Sequence, residues 1–151
     1  MSVDLHWIQR GFAVGSRPTA RQRSAIAALG IQAVVTLCEA DPREREDWHG
    51  LGVTQVHVPT PDWSPIPPRC FDAATEALER CLDQGTPVLL HCFAGVNRAP
   101  TLAAATLVIR RGVSVAEAIS AVRAARRQSD PTPEQIASLH AWLAGRRHHL
   151  R

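Results

Sequence analysis

The chain has 151 residues, 45% of them hydrophobic, and a formal net charge of +3 at pH 7. That composition excludes intrinsic disorder and fits a single domain over 1–151 with a packed core. No apolar run is long enough to span a bilayer, and all 17 basic residues are arginine, which suits phosphate-bearing partners and equally plain solubility.

The four cysteines, Cys38, Cys70, Cys81 and Cys92, form no Cys-x-x-Cys pair. Neither a disulfide framework nor a metal site is expected from them. Met1 to Arg10 lack the apolar run of a signal peptide, so a cytoplasmic location is the default expectation.

In chain order, Phe12-Ala13-Val14 reads as a short strand. Thr19 opens a helix through Ala28, and Gly30 stops it. Ile31 to Leu37 is a buried, β-branched strand, and Asp41-Pro42 opens a charged helical turn through Trp48 that closes near Gly50 to Gly52. Val53 to Val58 is the next strand, followed by a proline-rich loop from Thr60 to Pro68. Arg69 to Leu82 reads as an amphipathic helix ending at Gly85. Pro87-Val88-Leu89-Leu90 is a buried strand, and Leu102 to Ile109 a buried helix. Ser114 caps a helix through Arg126, with Glu117 completing a capping box. Thr132-Pro133-Glu134 opens the last helix, to about Arg146, and 146–151 is expected to be a flexible basic tail. This alternation predicts an α/β fold, a single domain with a central, largely parallel twisted sheet flanked by helices. Its ligand site should lie at the carboxyl ends of the strands.

Cys92 lies at such an end. The stretch His91-Cys92-Phe93-Ala94-Gly95-Val96-Asn97-Arg98 joins the strand before it to the helix after it. A tight loop feeding a helix N-terminus presents backbone N–H groups and the positive end of the helix dipole, which together hold an anion. The same field favours a thiolate, so Cys92 is expected to be a nucleophile aimed at phosphorus. Arg98 can grip two phosphate oxygens bidentately, and more tightly in the transition state. Phe93, Ala94, Gly95, Val96 and Asn97 supply the cradle between them.

His-Cys, five residues, then Arg resembles the signature of the cysteine-dependent protein tyrosine phosphatases, and most of all their small dual-specificity-like branch. The resemblance implies hydrolysis of phosphomonoesters through a phosphocysteine, without metal or other cofactor. It also implies a general acid on a loop, since the leaving oxygen must be protonated. Asp62, in the Pro-Asp loop thirty residues before Cys92, is the candidate; the alternative is an ordinary turn aspartate. Asp41 and Asp130, both before proline, are the other aspartates considered. Gln135 matches the glutamine that in part of the family orients the hydrolytic water, but a first-turn glutamine also suits helix chemistry. His91 is expected to orient the cradle and support the thiolate by hydrogen bonding. Some relatives protect the nucleophile with a cysteine at the position of Cys38, which is otherwise a small buried residue.

One departure stands out. The family's Ser or Thr after the arginine is Ala99 here, so the hydroxyl that assists sulfur departure is missing. Thr101 is the nearest substitute. Arg98-Ala99-Pro100 also resembles plant glucan phosphatases. The cradle carries no Lys, Arg or His between Cys92 and Arg98, against a highly phosphorylated inositol lipid as substrate. A shallow pocket for phosphotyrosine, and for phosphoserine or phosphothreonine, is implied. Trp63 either stacks on a substrate ring or packs in the core. A monomer acting on phosphorylated protein or a small phosphomonoester, with no nucleic acid or membrane partner, is the resulting expectation. The rivals are a phosphoglucan phosphatase, a phosphopeptide-binding pseudophosphatase and a rhodanese-like sulfurtransferase.

Overall fold

The computed structural model describes residues 2–39 and 47–149. Five strands form one sheet: β1 (Leu5–Gln9), β2 (Phe12–Gly15), β3 (Ala33–Thr36), β4 (Thr54–His57) and β5 (Val88–His91), in the spatial order β1-β2-β5-β3-β4. β2, β5, β3 and β4 are parallel, and β1 runs antiparallel on the edge. Around them lie α1 (Ala20–Ala28), α2 (Pro68–Gln84), α3 (Arg98–Arg111), α4 (Val115–Ala125) and α5 (Pro133–His149).

The central strands are buried throughout and mostly apolar, because both faces are covered. The pleat sends Phe12, Val14, Val35, Val88 and Leu90 into the larger core with α2 to α5. It sends Ala13, Val34 and Leu89 into a second cluster with Ile26 of α1, Ile31, Trp48 and Val53. The predicted central sheet flanked by helices is therefore present, with α1 alone on its face among the described helices in these clusters.

Three differences from the sequence reading concern element boundaries. β1 was not expected; its pairing with β2 across Gly11, which sits at φ +82°, creates it. The last helix continues to His149, so the expected tail is helical almost to its end. The strand beginning at Ile31 is regular only from Ala33 to Thr36, because Ile31 packs in the second cluster ahead of the ladder. The turn opened by Asp41-Pro42, and Asp41 with it, lies outside the described residues; beyond it Trp48 is buried and His49–Leu51 form a 3₁₀ turn.

Helix starts follow local chemistry. Thr19 and Ser114 both form complete capping boxes, with Gln22 and Glu117. α3 differs: Asn97 at its N-cap makes no side-chain capping bond, so the first amides of that helix are not taken by a cap.

Candidate active site

The carboxyl ends of the parallel strands converge on one place. β5 delivers His91 and Cys92, β3 leads to Leu37 and Cys38, β4 leads to Thr60 and Asp62, and β2 leads to Arg17. Register fixes this meeting, since Thr36 pairs with His91 and Gly15 pairs with the same residue from the other side.

The loop from Cys92 to Arg98 has its carbonyls bound on the outside. The Phe93 oxygen accepts from the Arg17 N–H at 2.9 Å, and the Val96 oxygen accepts from the Asp130 N–H at 2.6 Å. The Arg126 guanidinium donates to Ala94 O at 3.2 Å and to Gly95 O at 2.8 Å. Asn97 O accepts from the Thr101 N–H at 3.0 Å and from its hydroxyl at 2.6 Å. In a trans peptide the N–H points opposite to the C=O. Outward carbonyls therefore aim the loop's amides at its centre, and the Gly95 N–H donates to Cys92 Sγ at 3.2 Å. Gly95 stands at φ +68°, and a Cβ there would meet Gly15 O at 2.6 Å and Arg126 Nη2 at 2.5 Å; only glycine fits.

Arg98 is 3% exposed. Its Nη1 donates to Thr60 O at 2.9 Å and lies 3.4 Å from Leu37 O, while Nη2 is 3.4 Å from Asp62 Oδ2. Nε is buried and has no protein partner. A buried guanidinium with an unused N–H beside inward-facing amides calls for an anionic ligand.

Asp62 Oδ2 thus lies beside the Arg98 guanidinium. Its Oδ1 also accepts from the Trp63 N–H at 3.0 Å. Trp63 is 73% exposed, which rules out core packing, and it holds φ +52°, the one positive value at a non-glycine among the described residues. Phe93, next to the nucleophile, is 66% exposed.

His91 is fully buried, and its ring reaches both the main chain and the Thr36 side chain. Nδ1 is 3.3 Å from Cys92 O, Nε2 is 2.9 Å from Thr36 Oγ1, and Thr36 Oγ1 accepts from Gln55 Nε2 at 2.8 Å. The same Nδ1 lies 4.0 Å from Cys38 Sγ. Cys38 and Cys92 are both buried and unbridged at adjacent strand ends.

Gln135 is buried at the start of α5 and completes a capping box with Thr132, through bonds of 3.0 and 3.1 Å. Its Nε2 is buried without a partner. Asp130 contributes its main chain to the cradle; its carboxylate turns to Arg123 at 3.5 Å. Thr101 has its hydroxyl proton committed to Asn97 O, so it does not replace the hydroxyl missing at the buried Ala99.

Sequence reasoning missed Arg126 and Asp4. Arg126 is 0% exposed and meets both carboxylate oxygens of Asp4 at 2.9 Å. The pairing also holds the Asp4 carboxyl below the usual carboxylate range. Nothing in the local pattern around either residue marks it.

A thiol inside an amide-lined anion cradle, at the carboxyl edge of a parallel sheet, defines a cysteine-based phosphatase. Residues 13–144 match the dual specificity phosphatase catalytic domain, and the chain belongs to that family. Dual specificity protein phosphatase 1B of Arabidopsis thaliana is 28% identical over 140 residues, covering 92% of this chain and 81% of that one. Protein tyrosine phosphatase type IVA 3 of Bos taurus is 30% identical over 135 residues, covering 83% of this chain and 75% of that protein. The crystal structure of Tk-PTP in the active form is similar at TM-score 0.85 and 29% identity, covering 94% of this chain and 97% of the other. Among the described residues no helix is long and apolar enough to cross a membrane.

Proposed function

We propose that this phosphatase hydrolyses phosphomonoesters of proteins through a phosphocysteine on Cys92. The Cys92 thiolate attacks phosphorus, the bond from phosphorus to the leaving oxygen breaks, and that oxygen takes a proton from Asp62. Water then attacks the phosphocysteine and gives a proton to the Asp62 carboxylate, the S–P bond breaks, and inorganic phosphate leaves. Arg98 and the loop amides carry the charge of the equatorial oxygens. Gln135 is assigned to the water, through the amide nitrogen that its capping bonds leave free. The observation that carries this reading is the set of outward carbonyls around Cys92 together with the unpartnered Nε of Arg98.

The Asp62–Arg98 contact supports the acid role. A bound phosphate meets the same guanidinium, which brings the Asp62 carboxyl within reach of the bound group. Phosphotyrosine proteins, and dual-specificity substrates, are the preferred class. The cradle has no cation between Cys92 and Arg98, and the exposed Trp63 and Phe93 offer faces for a flat leaving group. Reduced cysteine chemistry suits a cytoplasmic setting.

Wild type is expected to hydrolyse p-nitrophenyl phosphate in the presence of a chelator. Cys92→Ser should bind orthovanadate or phosphate without turnover. Measurable turnover by Cys92→Ser overturns the mechanism. A panel of phosphotyrosine, phosphoserine and phosphothreonine peptides beside phosphoglucan then assigns the substrate class.

A redox role for Cys38 belongs to the same reading. Peroxide oxidises the Cys92 thiolate to a sulfenic acid, and the Cys38 thiol condenses with it, releasing water and forming a disulfide. Peroxide-treated wild type should recover with dithiothreitol and Cys38→Ser should not; equal recovery refutes the pairing.

A further inference from the structure

We propose that Asp4 and Arg126 are positioning residues of the reaction, an ion pair outside the cradle that sets the direction of the two peptide units on either side of Gly95. The inference rests on the Cys92 loop being the phosphate site.

The peptide unit that carries Ala94 O also carries the Gly95 N–H, and the unit that carries Gly95 O also carries the Val96 N–H. Arg126 binds both oxygens, at 3.2 and 2.8 Å. Holding them outward is what aims the two N–H groups inward, and one of them is seen donating to Cys92 Sγ at 3.2 Å. Local sterics do not fix these units, because Gly95 at φ +68° has the conformational freedom of glycine. An external clamp is therefore required, and the guanidinium fork is the right shape to hold two carbonyls at once.

The clamp needs Asp4. A fully buried guanidinium facing only neutral acceptors leaves an uncompensated charge, which is costly. Both Asp4 oxygens meet it at 2.9 Å, and His6 Nδ1 lies 3.0 Å from Nη1. Arg126 differs in this from Arg98, whose Nε has no protein partner. One arginine binds the anion, and the other, already neutralised, orients the amides that bind it. Asp4, just before β1, thereby acts on the site from outside it as a positioning residue.

The test compares wild type, Asp4→Asn, Asp4→Glu and Arg126→Lys in steady-state turnover of p-nitrophenyl phosphate and in inhibition by orthovanadate. Each protein is assayed at a temperature where circular dichroism shows it fully folded. Asp4→Asn and Arg126→Lys should lose about 10²-fold in kcat/KM, the scale of a small misplacement of catalytic groups. The loss should fall mainly on kcat, since the amides grip hardest in the transition state. Orthovanadate inhibition should weaken in parallel, and Asp4→Glu should recover part of the loss. Because Asp4 is the more exposed partner, Asp4→Asn serves where Arg126→Lys does not fold. Wild-type kcat/KM and orthovanadate inhibition in folded Asp4→Asn, with only a lowered Tm, overturn the proposal. Absence of turnover by wild type itself would instead strike the phosphatase mechanism on which it rests.

Discussion

Two buried arginines with opposite partner sets divide the work at this site. Arg98 keeps an N–H without a protein partner, whereas Arg126 is saturated by Asp4, His6 and two carbonyls. Arg98→Lys is expected to lose several orders of magnitude in kcat/KM, because an ammonium lacks the planar fork that spans two phosphate oxygens; steady-state kinetics on p-nitrophenyl phosphate checks it. Asp62→Ala should cost about 10²–10⁴-fold on an alkyl phosphate, the usual worth of a general acid. The loss should be far smaller on p-nitrophenyl phosphate, whose leaving group needs little help. Equal losses on both would make Asp62 structural. Ala99 bears on the second step. On the proposed mechanism, Ala99→Ser supplies the hydroxyl that the family resemblance assigns to sulfur departure and is expected to raise turnover where breakdown of the phosphocysteine limits the rate, seen as a smaller pre-steady-state burst relative to the steady rate.

Elements hold these residues by ordinary local and tertiary chemistry. α3 presents uncapped amides to the cradle because Asn97 forms no capping bond, while α1 and α4 close theirs with capping boxes. Ser114→Ala should therefore destabilise the fold by about 1 kcal/mol without changing kcat/KM, measurable as a shift in urea midpoint. α5 is fastened to α2 by Trp142, which stacks on Phe71 at 5.0 Å between ring centroids and donates Nε1–H to Asp72 Oδ1 at 2.9 Å. Trp142→Ala is expected to cost about 3–5 kcal/mol, and urea denaturation reads it directly. On the role proposed for Gln135, which sits on the first turn of that helix, loss of the dock is also expected to lower the rate of phosphocysteine hydrolysis.

Across the whole molecule, the edge strand β1 and the α4–α5 connection meet over the back of the cradle through Asp4 and Arg126. This closure carries a pH dependence with a definite sign. Arg126 depresses the folded-state pKa of Asp4. The pairing therefore contributes stability above the ordinary aspartate range, about 4, and loses it as pH falls through the lower folded value. Asp4→Asn should be less stable than wild type near neutrality, and the difference should shrink on acidification below about pH 4. Thermal melts of the two proteins across that range measure it.

Read alone, the sequence offered the loop from Cys92 to Arg98 as the candidate site, because these residues fall within one strand-loop-helix segment. Within it, dipole, amide and thiol chemistry act over neighbouring residues. It also determined the parallel sheet, through apolar strands alternating with capped helices. Asp62 was legible as a general-acid candidate only through the family resemblance, with a turn aspartate as the alternative, and packing set its carboxylate 3.4 Å from Arg98. The fates of Gln135 and Trp63 needed coordinates as well, since a capping glutamine and a surface tryptophan read alike from the chain. β1, and the pairing of Asp4 with Arg126 over a separation of 122 residues, were decided by tertiary structure alone. A short edge strand gains its order from its partner rather than its own pattern. An ion pair between residues so far apart in the chain has no local signature, because its two halves become neighbours only when the sheet and the helices close.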